Sequence, residues 1–181
     1  MRTSLTDPIR VDWLLDGNAG RIGLTFAPGK RCEGIEGKWE RDLDLDLAAL
    51  TAHGVQTLAC LLEDHELARF CIADLPTKAA GFGLRFERLP IPDAGIPADA
   101  EAAARLVALL AAEVRAGRHV VVHCRGGLGR AGTVGACVLL QLGECANAGD
   151  AIAHVRARRG AGAIETAGQE RFVAGFARRL A

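Results

Sequence analysis

The chain has 181 residues, 50% of them hydrophobic and 24% charged, with Lys+Arg and Asp+Glu equal at 22 each. That length supports one domain with a sizeable core, and the even charge balance lacks the basic excess that a nucleic-acid partner demands. No apolar run reaches the ~18 residues of a membrane span, so neither nucleic acid nor membrane is expected as a partner.

Residues 1–20 carry Asp7, Asp12 and Asp16 and lack an apolar secretory core. They read as an N-terminal extension of a single domain spanning 1–181. Residues 21–26 form an expected flanking strand, and the Gly/Pro cluster over 27–37 an expected loop. A helix is expected over 44–53, stopped by Gly54, and then a buried strand over 55–62. Glu63, Asp64, His65 and Glu66 read as a charged loop or helix start, either solvated or framing the pocket. A second flanking strand covers 84–89, followed by a Pro/Gly-framed loop over 90–97. Apolar residues at helical spacing mark a helix over 98–116. Residues 119–123, His-Val-Val-Val-His, are the clearest strand, and the apolar stretch 131–142 is a helix that must be buried. Asn147 can cap a helix to residue 159, and Thr166 one to residue 180. The arginine tracts 156–159 and 178–179 read as solvated faces, and Trp13 and Trp39 as packing anchors. Strands alternating with helices imply an α/β fold with a central, mostly parallel sheet flanked by helices on both faces. The 119–123 strand should be central, because it feeds the buried helix.

Chemistry concentrates at the end of that strand, in His123-Cys124-Arg125-Gly126-Gly127-Leu128-Gly129-Arg130. Glycines let successive backbone N–H groups turn inward as an anion nest. The following helix N-terminus adds unpaired donors and partial positive charge. Arg130 can grip two oxygens of a tetrahedral anion through its planar fork. The same field favours the thiolate, the nucleophilic form, at Cys124. A phosphate or sulfate ion is the expected occupant of residues 125–130. Asp93, in Pro92-Asp93-Ala94-Gly95, is the candidate general acid, with Asp99 as a spare that more naturally begins the next helix.

This constellation resembles the protein tyrosine phosphatase superfamily, whose signature is His-Cys-x5-Arg. It is closest to the dual-specificity branch and, within it, to the kinase-associated phosphatase type. Gly126-Gly127-Leu128-Gly129-Arg130, Pro92-Asp93-Ala94-Gly95, Gly162-Ala163-Ile164-Glu165-Thr166 with Gln169, and Ile22-Gly23-Leu24 with Ala27-Pro28-Gly29 carry the likeness. The resemblance implies Cys124 as nucleophile, Arg130 as phosphate clamp and Asp93 as general acid. It also implies that His123 orients the loop and assists the thiolate. A phosphorylated protein or peptide is the implied substrate, with no cofactor; the six cysteines, without a C-x-x-C pair or disulfide-framework spacing, place the chain in a reducing cytoplasm as an expectation of their own. The family usually has Ser or Thr after the arginine, where this chain has Ala131, so release of phosphocysteine should be slow unless Thr133 supplies a hydroxyl. Tyr is absent from the chain, as is any tyrosine-bearing loop that would line a deep slot, which favours a shallower pocket. Arg125 is the only extra basic residue in the loop.

Two residues keep two readings each. Cys60 is either a packed core thiol or a partner for Cys124 in a reversible disulfide. Gln169 either serves the attacking water or pocket rim, or lies exposed on its helix. His53, His65, His119 and His154 lack metal-ligand spacing, so no metal is expected. For the whole chain, the alternatives to an active phosphatase are a low-turnover phosphoprotein-binding fold and a redox-active or sulfur-transferring thiol protein.

Overall fold

A computed structural model describes residues 1–17, 19–34 and 37–180. Residues 35 and 36 of the expected loop, Asn18 of the N-terminal extension and Ala181 lie outside the described residues. The elements are β1 (Asp12–Trp13), β2 (Ile22–Phe26), β3 (Arg31–Gly34), β4 (Gly37–Glu40), α1 (Leu43–Ala52), β5 (Val55–Cys60), α2 (Asp64–Arg69), α3 (Leu75–Gly81), β6 (Arg85–Arg88), α4 (Ala100–Arg115), β7 (His119–Cys124), α5 (Gly129–Leu142), α6 (Ala148–Arg159) and α7 (Ala167–Leu180).

The main sheet runs β1-β2-β7-β5-β6, with β2, β7, β5 and β6 parallel and β1 antiparallel at the edge. β7 is therefore the middle strand, as its Val-rich sequence requires of a strand covered on both faces. Alternation along β7 splits its side chains: Val120, Val122 and Cys124 face a core built with α4 to α7, and Val121 faces one built with α1 to α3. Hydrophobic residues fill α5 almost all round, and it is buried nearly throughout, which draws the end of β7 into the protein interior.

Caps follow the sequence. Gly54 takes φ +78° after α1, Asp99 accepts from Glu101 N and Ala102 N to open α4, and the Asn147 side chain accepts from Asp150 N at α6.

Three elements depart from expectation. The stretch 27–37 is not a simple loop, because Arg31–Gly34 and Gly37–Glu40 pair as a hairpin. Trp39 holds that hairpin against Phe26, ring centroids 5.1 Å apart. Leu75–Gly81 is a short helix that the sequence reading lacks, whereas Asp64–Arg69 is the helix that the 63–66 segment starts. The N-terminal segment is stitched into the structure: Arg2 exchanges backbone bonds with Lys38 and Glu40, and Ile9 and Leu14 are buried. Among the described residues no helix is long and apolar enough to cross a membrane.

Candidate active site

Cys124 is the last residue of β7, paired in register with Phe26, and its side chain is buried. The loop between it and α5 is held open from outside through its carbonyls. Arg125 O accepts from Lys30 Nζ at 3.0 Å and from Ala27 N at 3.3 Å. Gly126 O and Gly127 O accept from Arg159 Nη2 and Nε at 2.8 and 2.9 Å. Leu128 O accepts from Gly132 N and Ile164 N. In a planar trans peptide the N–H of residue i+1 points opposite the C=O of residue i. Four carbonyls pulled outward therefore turn the amides of residues 126–129 inward. One of them, Gly127 N, donates to Cys124 Sγ at 3.2 Å. Gly127 has φ +72°, and a Cβ there would lie 2.3 Å from Thr25 O, so only glycine fits.

Arg130 lies in the first turn of α5 with 2% exposure. Its Nη1 and Nη2 donate to Glu66 Oε2 and Oε1 at 2.7 and 2.9 Å. Nη1 also donates to Ile91 O at 2.9 Å, and Nη2 to Asp93 Oδ1 at 2.9 Å. Burial pulls the guanidinium down, but the Glu66 carboxylate, aided by Cys124 and Asp93, outweighs it and raises Arg130 further above its ordinary value. Glu66, 4% exposed, is correspondingly held below the carboxylate range: burial raises it, and the Arg130 bond overcomes that. Of the two readings of the 63–66 segment, solvated or pocket-framing, Glu66 departs from the first, because its carboxylate is the buried partner that orients the arginine.

Asp93 sits in a tight turn closed by Gly95 N to Pro92 O, with Ala94 in the left-handed region at φ +55°. Such a backbone persists only where its surroundings hold it. Here Gln169 Nε2 donates to Gly95 O at 3.0 Å and Thr166 Oγ1 to Ala94 O at 3.4 Å. Asp93 is half-exposed, bonded to Arg130 and 3.8 Å from Arg125 Nη1. Gln169 is buried, and its Oε1 accepts from Glu165 N and Thr166 N. It is not an exposed helix residue: it ties the Asp93 turn to the start of α7, and its amide lies against Gly129, where a Cβ would stand 2.9 Å from Nε2. Asp99 is occupied as the α4 cap and held below its usual range, chiefly by the Ala102 amide.

His123 is fully buried. Burial drives it down to about 4, against a hydrogen bond with the Cys124 backbone that raises it, so the ring is neutral at physiological pH and meets the nucleophile's residue through its main chain. The Thr133 hydroxyl donates to Gly129 O at 2.8 Å within its own helix, which removes its proton from the site. Cys60 pairs in register with His123, beside the nucleophile's strand, and burial pushes its thiol up to about 11. It therefore stays protonated in the core near neutrality, which favours the packing reading.

The site opens as a cavity of about 750 Å³. Arg10, Lys30 and Arg159 join Arg125 and Arg130 in its lining, so the basic character reaches well beyond the one loop arginine that the motif offers. Arg159 belongs to a tract read as solvated; instead it grips the loop and lies 3.3 Å from Asp12. Lys30 is 5% exposed, 3.9 Å from the Trp39 ring centroid, and burial lowers it to about 8. Sequence reasoning missed Lys30 and Arg159 as site residues and gave Glu66 no role beyond framing the pocket.

Comparison with known proteins agrees with this geometry. Residues 38–173 match the family described as Swiss Army Knife protein, DSP-PTPase phosphatase domain. The chain is 30% identical to cyclin-dependent kinase inhibitor 3 of Rattus norvegicus over 177 residues, 96% of this chain and 81% of that protein. The Homo sapiens protein of the same name is 29% identical over the same span. The crystal structure of kinase associated phosphatase, with its catalytic-site cysteine replaced by serine, superposes with a TM-score of 0.83 at 28% identity, covering 95% of this chain and 96% of that one. Tk-PTP in the active form gives 0.72 at 25% identity, covering 93% and 97%. With a Cys-x5-Arg cradle at the end of the central strand and a family match over most of its length, the chain belongs to the dual-specificity phosphatase family.

Proposed function

We propose that the chain is an active phosphoprotein phosphatase, one domain across residues 1–181, acting on phosphotyrosine and/or phosphoserine and phosphothreonine. The observation that carries this reading is the fixed ring of inward amides around Cys124, closed by Arg130. A phosphate dianion fits that ring with its phosphorus facing Cys124 Sγ, and residues 125–130 supply its donors. Arg130 Nη2 turns from Asp93 to a phosphate oxygen, which frees the Asp93 carboxyl to face the leaving group.

In the first step Sγ attacks phosphorus, the P–O bond to the substrate breaks, and Asp93 gives its proton to the departing oxygen. In the second, Asp93 takes a proton from water as that water attacks phosphorus, and the S–P bond breaks to return the thiolate and inorganic phosphate. The amides and Arg130 serve the charge spread over the equatorial oxygens in both steps. No step calls for a cofactor.

A second reading, a phosphoprotein-binding fold with slow turnover, has its own support: Ala131 has no hydroxyl, and the Thr133 hydroxyl is engaged with Gly129 O. Hydrolysis of a chromogenic aryl phosphate and a phosphopeptide panel, wild type against Cys124→Ser, separates the two. Turnover by wild type alone supports the enzyme. Tight phosphopeptide binding without turnover supports the binder. Trapping by Asp93→Ala would then identify the substrate proteins.

A further inference from the structure

The cradle accounts for one phosphate, and the wall of the same cavity carries further cationic side chains beside it. Lys30 is the core of that group. Its ammonium has three N–H donors, and the only acceptor it reaches among the described residues is Arg125 O. Among the described residues no carboxylate pairs with it; the ionisable side chains beside it are those of Cys32, Arg125, Cys124 and Arg41. What faces it instead is aromatic: the Trp39 centroid at 3.9 Å and the Phe26 centroid at 4.9 Å. Ring faces compensate a buried cation only in part. Buried lysines are otherwise found paired, because an unpaired buried charge is strongly disfavoured.

The environment is open toward the cavity, not sealed into the core, because Lys30 lines the same space as Cys124. Arg10 lines it too, exposed and without an ion pair among the described residues. Arg125 adds a third cation, held only loosely by Asp93 at 3.8 Å. The hairpin and the segment before β2 thus present positive charge with unused donors next to a site already shaped for a dianion. An anionic group from outside would complete those donors with charge-assisted hydrogen bonds.

We propose that Lys30, Arg10 and Arg125 form a second anion subsite, and that this phosphatase selects phosphopeptides carrying another anionic group, phosphate or carboxylate, beside the scissile phosphoresidue. This rests on the phosphoprotein-phosphatase reading above. Lys30 is a specificity residue here; its bond to Arg125 O also braces the cradle, so the test must read a preference and not a loss.

The measurement is peptide affinity on the Cys124→Ser background, by calorimetry at fixed salt. One phosphotyrosine peptide has neutral neighbours, and its twin has a phosphonate at the adjacent residue. The twin is expected to bind at least about 10-fold tighter, and Lys30→Met to bring that ratio below about 2. A ratio near 1 before mutation, or one that survives Lys30→Met, overturns the subsite. A purely bracing role for Lys30 would weaken both peptides equally and leave the ratio intact, which also overturns it. Should Lys30→Met fold poorly, exposed Arg10→Ala is expected to lower the ratio about threefold, and no change there counts against the proposal. A soluble inositol bisphosphate that binds tighter than the doubly charged peptide, in a Lys30-dependent way, overturns the peptide assignment. Absence of hydrolysis by wild type, with the singly phosphorylated peptide still bound, defeats the phosphatase reading while leaving the affinity ratio readable.

Discussion

Replacing Glu66 by alanine removes the group that holds Arg130 in place. Two charged hydrogen bonds of 2.7 and 2.9 Å join side chains that are 6% and 2% exposed. Unit charges about 4 Å apart at an effective dielectric of about 20 attract by ~4 kcal/mol. Breaking such a pair from one side leaves a buried charge and costs about 3–5 kcal/mol. Asp93 keeps a contact to the same guanidinium at 2.9 Å, but it is half-exposed and offsets little. A loss of about 3 kcal/mol is therefore expected, which at ~2 kcal/mol per molar urea moves the unfolding midpoint down by about 1.5 M. Glu66 Oε2 also accepts from Glu63 N at 3.0 Å, so Glu66→Gln, which can retain that cap, isolates the charge. In an aryl phosphate assay, kcat/KM of Glu66→Ala should fall about 100-fold, as expected for a clamp displaced by an ångström. The pairing lowers Glu66 from its ordinary value, so its stabilisation is complete above the unfolded glutamate value near ~4.3 and is lost as pH falls through the lower folded one. The gap between wild type and Glu66→Gln should accordingly close in acid. A midpoint within about 0.3 M of wild type at pH 7, or a gap that persists at acid pH, refutes the reasoning.

Ala131→Ser should speed turnover if phosphocysteine breakdown limits the rate; rapid quench should then show a phosphoenzyme in wild type that shrinks in the variant. Gly127→Ala puts a methyl 2.3 Å from Thr25 O at φ +72° and should cost roughly 3 kcal/mol, read as a melting temperature about 10 °C lower. Lys30 is lowered by burial from 10.5 to about 8, so between those values the unfolded chain binds more protons than the folded one. Its contribution therefore raises stability with pH across that window, by up to roughly 3 kcal/mol. Cys60, pushed up to about 11, acts in the opposite sense above about pH 9, and comparison with Lys30→Met cancels it. The urea midpoint of wild type should gain on that of Lys30→Met between pH 7 and 10; parallel profiles would contradict the burial.

What the sequence made legible was local. Cys124 to Arg130 is one contiguous run, and β7 and α5 announce themselves through unbroken apolar character, so the nucleophile, the clamp and the middle strand could all be read from neighbours in the chain. The supports were not legible because they arrive from far away. Glu66 lies 64 residues from Arg130, Lys30 lies 95 from Arg125, and Arg159 lies 32 and 33 from the two carbonyls it holds. In sequence, Glu66 is one charge in Glu-Asp-His-Glu, and Arg159 is one of three arginines in the last turn of its helix. The β3–β4 hairpin escaped for a related reason. Arg31–Gly34 and Gly37–Glu40 hold glycines and charges with almost no alternation, and Trp39 packing on Phe26 decides the matter in three dimensions. Leu75–Gly81 is only seven residues long and contains Pro76, too short for a period to show.

The outward tethering of four consecutive carbonyls has a consequence for traffic through the site. A mould whose outline is fixed by its own tethers fits the departing ion as well as the incoming ester, since both offer the same tetrahedral face. On the phosphatase reading proposed above, inorganic phosphate would compete with the substrate, as would sulfate or vanadate, and turnover would slow as product accumulates.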